Sequence, residues 1–312
     1  MHYGKSQAIG DKSIFIIDTA MSVVDGRLYY EYCNKGDSTT SFLRAVDVAT
    51  GNVLWDHRMR ESEGMSWFVD ERHLMLCDQV LDARTGEVIA SENPDALRHP
   101  ASLTKMMTLY IAFEAIERGE ISLDTMVKIT KNAAAEPPSR LGLKPGQKIA
   151  LRHLIRAAAI KSANDAATAI GEAVGGSEAN FAKRMNRTAK SIGMKNSTFE
   201  NANGLTRKGH LSTARDMSTL GRRLFYDFPQ YYNIFSRRET DAGVADVAST
   251  NRKFLDMYKG ADGIKTGFTN AAGFNLTASA ERNGVRIIAT VFGGTSTAQR
   301  NAKVAELLDL GF

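Results

Sequence analysis

Four consecutive stretches between Ser102 and Ile192 carry apolar residues at helical spacing, and the chain on both sides of that block alternates as strands do. In the first, Ser102 to Glu117, the apolar positions are Leu103, Met106, Met107, Tyr110, Ile111 and Phe113, and Gly119 supplies the stop. Leu151 to Ile160 sets Leu151, Leu154, Ile155 and Ala158 on one face. The alanine-rich run after Asn164 reaches Val174 and ends on Gly175-Gly176, and Ser177 to Ile192 stops at Gly193. Thr213-x-x-Asp216 has the form of a capping box and starts a further helix. Downstream, Phe274, Leu276 and Ala278 alternate with polar neighbours, Asn283-Gly284 is a two-residue hairpin signal, and Val285 to Val291 is its return strand. Thr295 to Leu310 is helical again. Strands joined by hairpins pair antiparallel, and their apolar face then needs helices to cover it. The expected class is therefore α+β, an antiparallel sheet flanked by helices.

Residues 1 to about 90 have a different texture. Val24 to Tyr30 and Val69 to Met75 look like two versions of one strand start. Ala45 to Trp55 and Val80 to Ala90 match again, each as strand, Thr-Gly turn, strand. The Ala-x-Asp-x-x-Thr-Gly-x-x-x-Trp form resembles quinoprotein-type propeller repeats. One or two blades do not close a ring, which takes at least about four. Two unrelated hairpins that share turn chemistry would give the same pattern. The expected division is a small β-rich N-terminal segment, residues 1–68, followed by one domain, residues 69–312.

Bulk properties exclude several function classes. The net charge of +5 comes from 40 basic and 35 acidic residues spread along the chain. It suits an anionic polymer, and no basic run interleaved with aromatics points to nucleic acid. The two cysteines, Cys33 and Cys77, form no Cys/His cluster, so neither a metal site nor a cofactor is expected. No apolar run is long enough for a transmembrane segment. Ile14 to Ile17 is too short for a signal-peptide core, so an export signal is not expected within this chain.

Three short motifs carry chemistry. Ser102-x-x-Lys105 places both side chains on one face of a helix, with Ser102 in the first turn after Pro100. Serine needs a base beside it to act as a nucleophile, and a desolvated lysine can serve. Ser162-Ala-Asn164 lies between two helices, where a hydroxyl can relay a proton and an amide can hold a substrate amide. Lys265-Thr266-Gly267 offers a cation and a hydroxyl to a carboxylate, with a glycine that lets a substrate backbone approach. Each motif alone has a plain structural explanation: a surface Ser and Lys, a helix cap, an edge strand. Ser91-Glu-Asn93 and Arg84-Thr85-Gly86 imitate the second and third motifs but precede Ser102. Order and local structure together give the three motifs their weight.

That triple is the signature of class A β-lactamases and penicillin-binding proteins. From about residue 73 to 312 the chain resembles the D-alanyl-D-alanine carboxypeptidases, the low-molecular-mass penicillin-binding proteins of serine peptidase family S11. His99 to Thr108, Glu136 to Gly146, Lys161 to Ala167, Asn201 to Leu205, Thr213 to Met217 and Asp262 to Thr269 all read as segments of that family. The resemblance implies a β-lactamase/transpeptidase-like fold and a periplasmic or otherwise extracytoplasmic hydrolase of peptidoglycan stem peptides, inhibited by β-lactams. It implies Ser102 as nucleophile, Lys105 as base, Ser162 as proton relay and Asn164 as substrate clamp. Lys265, Thr266 and Gly267 would bind the terminal carboxylate, and the N–H groups of Ser102 and Phe268 would form the oxyanion hole. Arg252 and Arg300 stand where the family has basic residues near that carboxylate. A β-lactamase would need a Glu-x-x-Leu-Asn segment for its deacylating water, and none occurs between Ser162 and Lys265. The motifs are also compatible with a D,D-endopeptidase on the same fold and with a non-catalytic binding protein. Residues 1–68 do not resemble the family.

Overall fold

The computed structural model describes residues 77–312, Thr50 and, upstream, the backbone of five strands. The chain divides into two compact units, Met1–Met75 and Leu76–Phe312. In the first, β1 (Gln7–Ala8), β2 (Ser13–Val24), β3 (Arg27–Asn34), β4 (Ser41–Asp47) and β5 (Val53–Arg58) pair in sequence order as an antiparallel meander. The two Thr-Gly repeats both form hairpins: Ala45 faces Trp55, and Leu81 faces Val88. They belong to different sheets, each of five strands. Val69 to Met75 and the side chains of Cys33 and Cys77 lie outside the described residues.

In the second unit β6 (Cys77–Asp82) and β7 (Val88–Glu92) lead to a 3-10 turn at Ala101–Leu103 and then α1 (Thr104–Glu117). A small ribbon, β8 (Met126–Lys128) with β9 (Lys148–Ala150), brackets α2 (Lys131–Ala134). Then come α3 (Leu151–Arg156), a π-type turn (Ala157–Lys161), α4 (Asn164–Gly175), α5 (Glu178–Ser191) and α6 (Ala214–Asp227). The short elements α7 (Pro229–Tyr232), β10 (Glu239–Asp241), β11 (Asp246–Ala248) and α8 (Arg252–Met257) precede β12 (Ala261–Thr269), β13 (Gly273–Arg282), β14 (Val285–Gly294) and α9 (Thr297–Gly311).

The main sheet has the order β12-β13-β14-β6-β7 and is antiparallel throughout. Alternation along β14 explains how it is covered. Ile287, Ala289 and Val291 join Val304, Leu307 and Leu308 of α9 in one core, while Phe292 joins the larger helical core on the other face. Ser218 of α6 hydrogen-bonds Thr290, which also pairs with Thr277, and an added Cβ at Gly221 would meet Ile264, Thr277 and Ile288. The helix therefore rests directly on the strands. Of the capping box expected at Thr213 one half forms, with Thr213 Oγ1 accepting from Asp216 N, while the Asp216 carboxylate accepts from Asn196 N and Ser197 Oγ; Ser177 Oγ caps α5 by accepting from Asn180 N.

Two helix ends depart from the expected geometry, and both lie at motifs. The helix expected from Ser102 begins as a 3-10 turn, with α1 starting at Thr104. The helix expected to run to Ile160 is α-helical only to Arg156, then widens into the π-type turn. That widening ends with Ser162 in the left-handed region at φ 65°, a conformation an apolar spacing pattern does not encode.

Candidate active site

Ser102 follows Ala101, whose φ of 48° is rare for a side-chain-bearing residue and costs about 1–3 kcal/mol unless the surroundings hold it. Two neighbours do so. Asn275 of β13 donates from Nδ2 to the carbonyls of His99 (3.0 Å) and Pro100 (3.3 Å). Gly204, at φ 89°, presses on the Ala101 carbonyl so closely that a Cβ there would overlap it. The turn that carries Ser102 is thus clamped between a strand and the Asn201–Leu205 segment.

Lys105 lies three residues on, with no exposed surface. Its Nζ is 2.9 Å from Ser102 Oγ, 2.7 Å from Asn164 Oδ1 and 2.6 Å from the Asn203 carbonyl. Asn164 Nδ2 donates to the Pro137 carbonyl at 2.9 Å, which fixes the amide with its oxygen toward the lysine. Burial, and secondly the charge of Lys265, pull Lys105 well below its ordinary pKa, opposed by Glu136 and Asp165. A neutral amine has two N–H groups and one lone pair. Asn164 Oδ1 and the Asn203 carbonyl only accept, so in that neutral form they take the two N–H bonds and the lone pair faces the Ser102 hydroxyl.

Lys265, on β12, is equally buried and donates to Ser162 Oγ (2.9 Å) and the Thr266 carbonyl (3.0 Å). Burial, then Arg300, lower its pKa to about 7. The β12 strand runs tight against the turn that carries Ser102: an added Cβ at Gly267 would lie 2.9 Å from the Pro100 oxygen and 3.1 Å from Ser102 N. Phe268 is exposed and its ring lies 4.4 Å from that of Phe274.

Ser102, Ser162, Asn164, Thr266, Gly267, Phe268 and Arg300 line one open cleft of about 580 Å³, with Lys105 and Lys265 beneath it, and no lining residue is acidic. Arg300, on α9, is buried and holds the Asn275 carbonyl at 3.2 Å. Arg252 is not brought in: it starts α8, is largely exposed and faces Asp256 at 3.5 Å. The two decoys also stay away from the cleft; Thr85 is tied into its own turn by Asp82. Two participants were missed from sequence. Thr250 joins Thr266 Oγ1 at 2.9 Å on the cleft wall. Asn203 acts through its backbone carbonyl, for which the only signal was the Asn201-Ala-Asn-Gly-Leu205 segment. Among the described residues no cluster of three His, Cys, Asp or Glu side chains could hold a metal, and no helix is long and apolar enough to cross a membrane.

Comparison with known proteins follows the same boundaries. Residues 75–296 match the D-alanyl-D-alanine carboxypeptidase family, peptidase S11. The chain is 38% identical over 238 residues to D-alanyl-D-alanine carboxypeptidase DacF of Bacillus subtilis, covering 75% of this chain and 61% of that protein. It is 36% identical over 239 residues to DacA of Escherichia coli K12, covering 75% and 59%. The chain thus spans about three fifths of the length of these curated relatives. Penicillin binding protein 5 from Haemophilus influenzae superposes with a TM-score of 0.73 at 33% identity, covering 76% of this chain and 70% of that one. Penicillin-binding protein D2 from Listeria monocytogenes in its ampicillin-bound form gives 0.69 at 32%, covering 76% and 96%.

Proposed function

The chain belongs to the D-alanyl-D-alanine carboxypeptidase family, and from that premise we propose that it removes the terminal D-alanine from peptidoglycan stem peptides through an acyl-enzyme on Ser102. The observation that carries this is the Lys105 amine, fully buried, held by Asn164 Oδ1 and the Asn203 carbonyl, 2.9 Å from Ser102 Oγ, and drawn well below its ordinary pKa by burial.

In the first step Ser102 Oγ bonds to the carbonyl carbon of the penultimate D-alanine while its proton passes to Lys105. The negative oxygen that develops is received by the N–H groups of Ser102 and Phe268, an interaction of the kind worth about 10²- to 10³-fold in rate. The tetrahedral species then breaks its bond to the terminal D-alanine nitrogen. That nitrogen takes a proton from the Ser162 hydroxyl, which Lys105 replenishes as it returns to the neutral amine, while Lys265 holds Ser162 Oγ at 2.9 Å. Water next attacks the acyl carbon as the neutral Lys105 accepts its proton; the bond to Ser102 Oγ then breaks, and that oxygen takes the proton back from Lys105. Thr266, Lys265 and Arg300 hold the substrate carboxylate, and a cleft without acidic lining favours that anion. Asn164 clamps the peptide while orienting Lys105. Peptidoglycan lies outside the cytoplasm, so the reaction is an extracytoplasmic one. Catalysis is assigned to residues 69–312, with 1–68 as a separate β-rich unit.

The test is D-alanine release from an acylated Lys-D-Ala-D-Ala peptide. Release by the wild type and none by Ser102→Ala is the expected result. Fast multiple turnover of a chromogenic cephalosporin without D-alanine release would replace this reading with a β-lactamase.

A further inference from the structure

Glu136 follows α2, is partly buried and does not line the cleft, yet a short chain of hydrogen bonds links it to the Lys105 amine. Its Oε1 accepts from Thr168 Oγ1 and from Asn203 Nδ2, each at 2.9 Å. Asn203 Nδ2 also donates to Thr168 Oγ1 at 2.9 Å, and Asn203 Oδ1 accepts from Leu205 N at 2.9 Å. The peptide unit that bears the Asn203 carbonyl is pinned a third way, since Gly204 N donates to Asn201 Oδ1 at 2.7 Å. Both polar ends of the Asn203 side chain are therefore committed, and its carbonyl is held 2.6 Å from Lys105 Nζ. Oε1 accepts both bonds and carries no proton; burial raises the pKa of the carboxyl on balance, opposed by the Thr168 hydrogen bond and by the charges of Arg207 and Lys105.

We infer that Glu136 is a positioning residue of the acylation step: through Thr168 and Asn203 it aims the carbonyl that orients the Lys105 amine, and its negative charge restrains release of the lysine proton. The inference rests on Lys105 being the general base. The charges around both groups give the sign. Lys105 faces Lys265 of β12, Asp165 of α4 and Glu136. Glu136 in turn faces Glu178 of α5, Arg207 and Lys105. Asp165 is committed elsewhere, accepting the N–H groups of Leu141, Gly142 and Leu143 at 2.9, 2.8 and 3.1 Å. Glu136 is then the carboxylate whose removal changes the field at Lys105 while leaving that loop tied. Losing an anion disfavours the ammonium, so Lys105 becomes a base at lower pH.

The experiment follows acylation by a fluorescent penicillin against pH in Glu136→Gln, with each rate divided by its own high-pH plateau. The glutamine oxygen can still accept both hydrogen bonds, so the fold and the Asn203 geometry persist while the charge is gone. On the acid limb the relative rate of Glu136→Gln should exceed that of the wild type by about three- to tenfold, the scale of one screened charge interaction. Glu136→Ala should shift in the same sense and also lose about tenfold in plateau rate, because Asn203 loses its anchor. A Glu136→Gln profile that overlays the wild type would overturn the inference. So would an unchanged acid limb with slowed deacylation, which would make Glu136 a base for the hydrolytic water. A wild type that never acylates would instead sink the functional reading, before the variant is measured.

Discussion

Asn164→Asp replaces the acceptor that orients Lys105 with a carboxylate of the same shape. The oxygen sits 2.7 Å from Nζ in a pocket where Asn164 is 4% exposed. At an effective dielectric near 20, a unit charge pair at that separation is worth about 6 kcal/mol. Burying the new carboxylate offsets part of this, and the lost donor to the Pro137 carbonyl adds strain to the loop. If half survives, the protonated form of Lys105 gains about two decades. Acylation by penicillin should therefore fall by up to about 100-fold on the acid limb, and the rate should recover as pH is raised, because the lysine then yields its proton. Asn164→Ala removes the same hydrogen bonds without adding charge. It should slow acylation without moving the pH dependence to the alkaline side. Stopped-flow fluorescence of acylation across pH, with circular dichroism to confirm folding, separates the two variants. An Asn164→Asp protein that acylates at the wild-type rate with an unmoved profile would refute Lys105 as the base.

Other residues make independent claims. Gly267→Ala puts a Cβ 3.1 Å from Ser102 N, pushing β12 off the nucleophile turn; acylation should drop about 100-fold, and a wild-type acylation rate would contradict that packing. His210 is buried as a neutral ring, its Nδ1 accepting from Glu200 N, which leaves Nε2 to donate to Thr104 Oγ1, and burial followed by His99 and Arg207 lowers its pKa to about 4. The unfolded ring takes its proton near pH 6.5 and the folded one near 4, so its stabilising contribution is intact above 6.5 and falls by about 3 kcal/mol as pH drops across that window. Denaturant titrations of wild type and His210→Gln should show a steeper acid loss in the wild type, and parallel curves would count against it. Asp165→Asn weakens the acceptor for three loop amides; it should cost about 2–3 kcal/mol and accelerate hydrogen exchange at Leu141, Gly142 and Leu143, an effect absent if the loop is held otherwise.

The parts of this site that were legible in sequence are side chains whose chemistry depends on short spacing. Ser102 and Lys105 meet because residues three apart share a helix face, and the Lys265 strand carries its signal in three consecutive letters. The strands of the main sheet were legible as well, because Phe274, Leu276 and Ala278 alternate and Asn283-Gly284 favours one turn type. What escaped was of another kind. The Asn203 carbonyl has no side-chain signature, since any residue supplies one; its importance comes from Glu136, Thr168 and Asn201 aiming it. The π-type turn escaped because Ala157 to Ile160 are apolar and satisfy an α-helical pattern equally well. Thr-Gly turn chemistry fixed two hairpins, at Ala45–Trp55 and Val80–Ala90, but a turn does not specify which sheet a hairpin joins. Arg252 was expected near the substrate from resemblance alone, and it pairs with Asp256 one helical turn on.

Everything proposed for the cleft requires Ser102 to form a bond with the acyl group that D-alanine leaves behind. Mass spectrometry of the intact protein with a β-lactam, followed by peptide mapping, and then with a peptide ending in D-Ala-D-Ala, measures this directly. The predicted result is a single adduct of the β-lactam's mass on Ser102, none in Ser102→Ala, and release of one D-alanine per peptide. An adduct on another residue, or one that persists in Ser102→Ala, would contradict it.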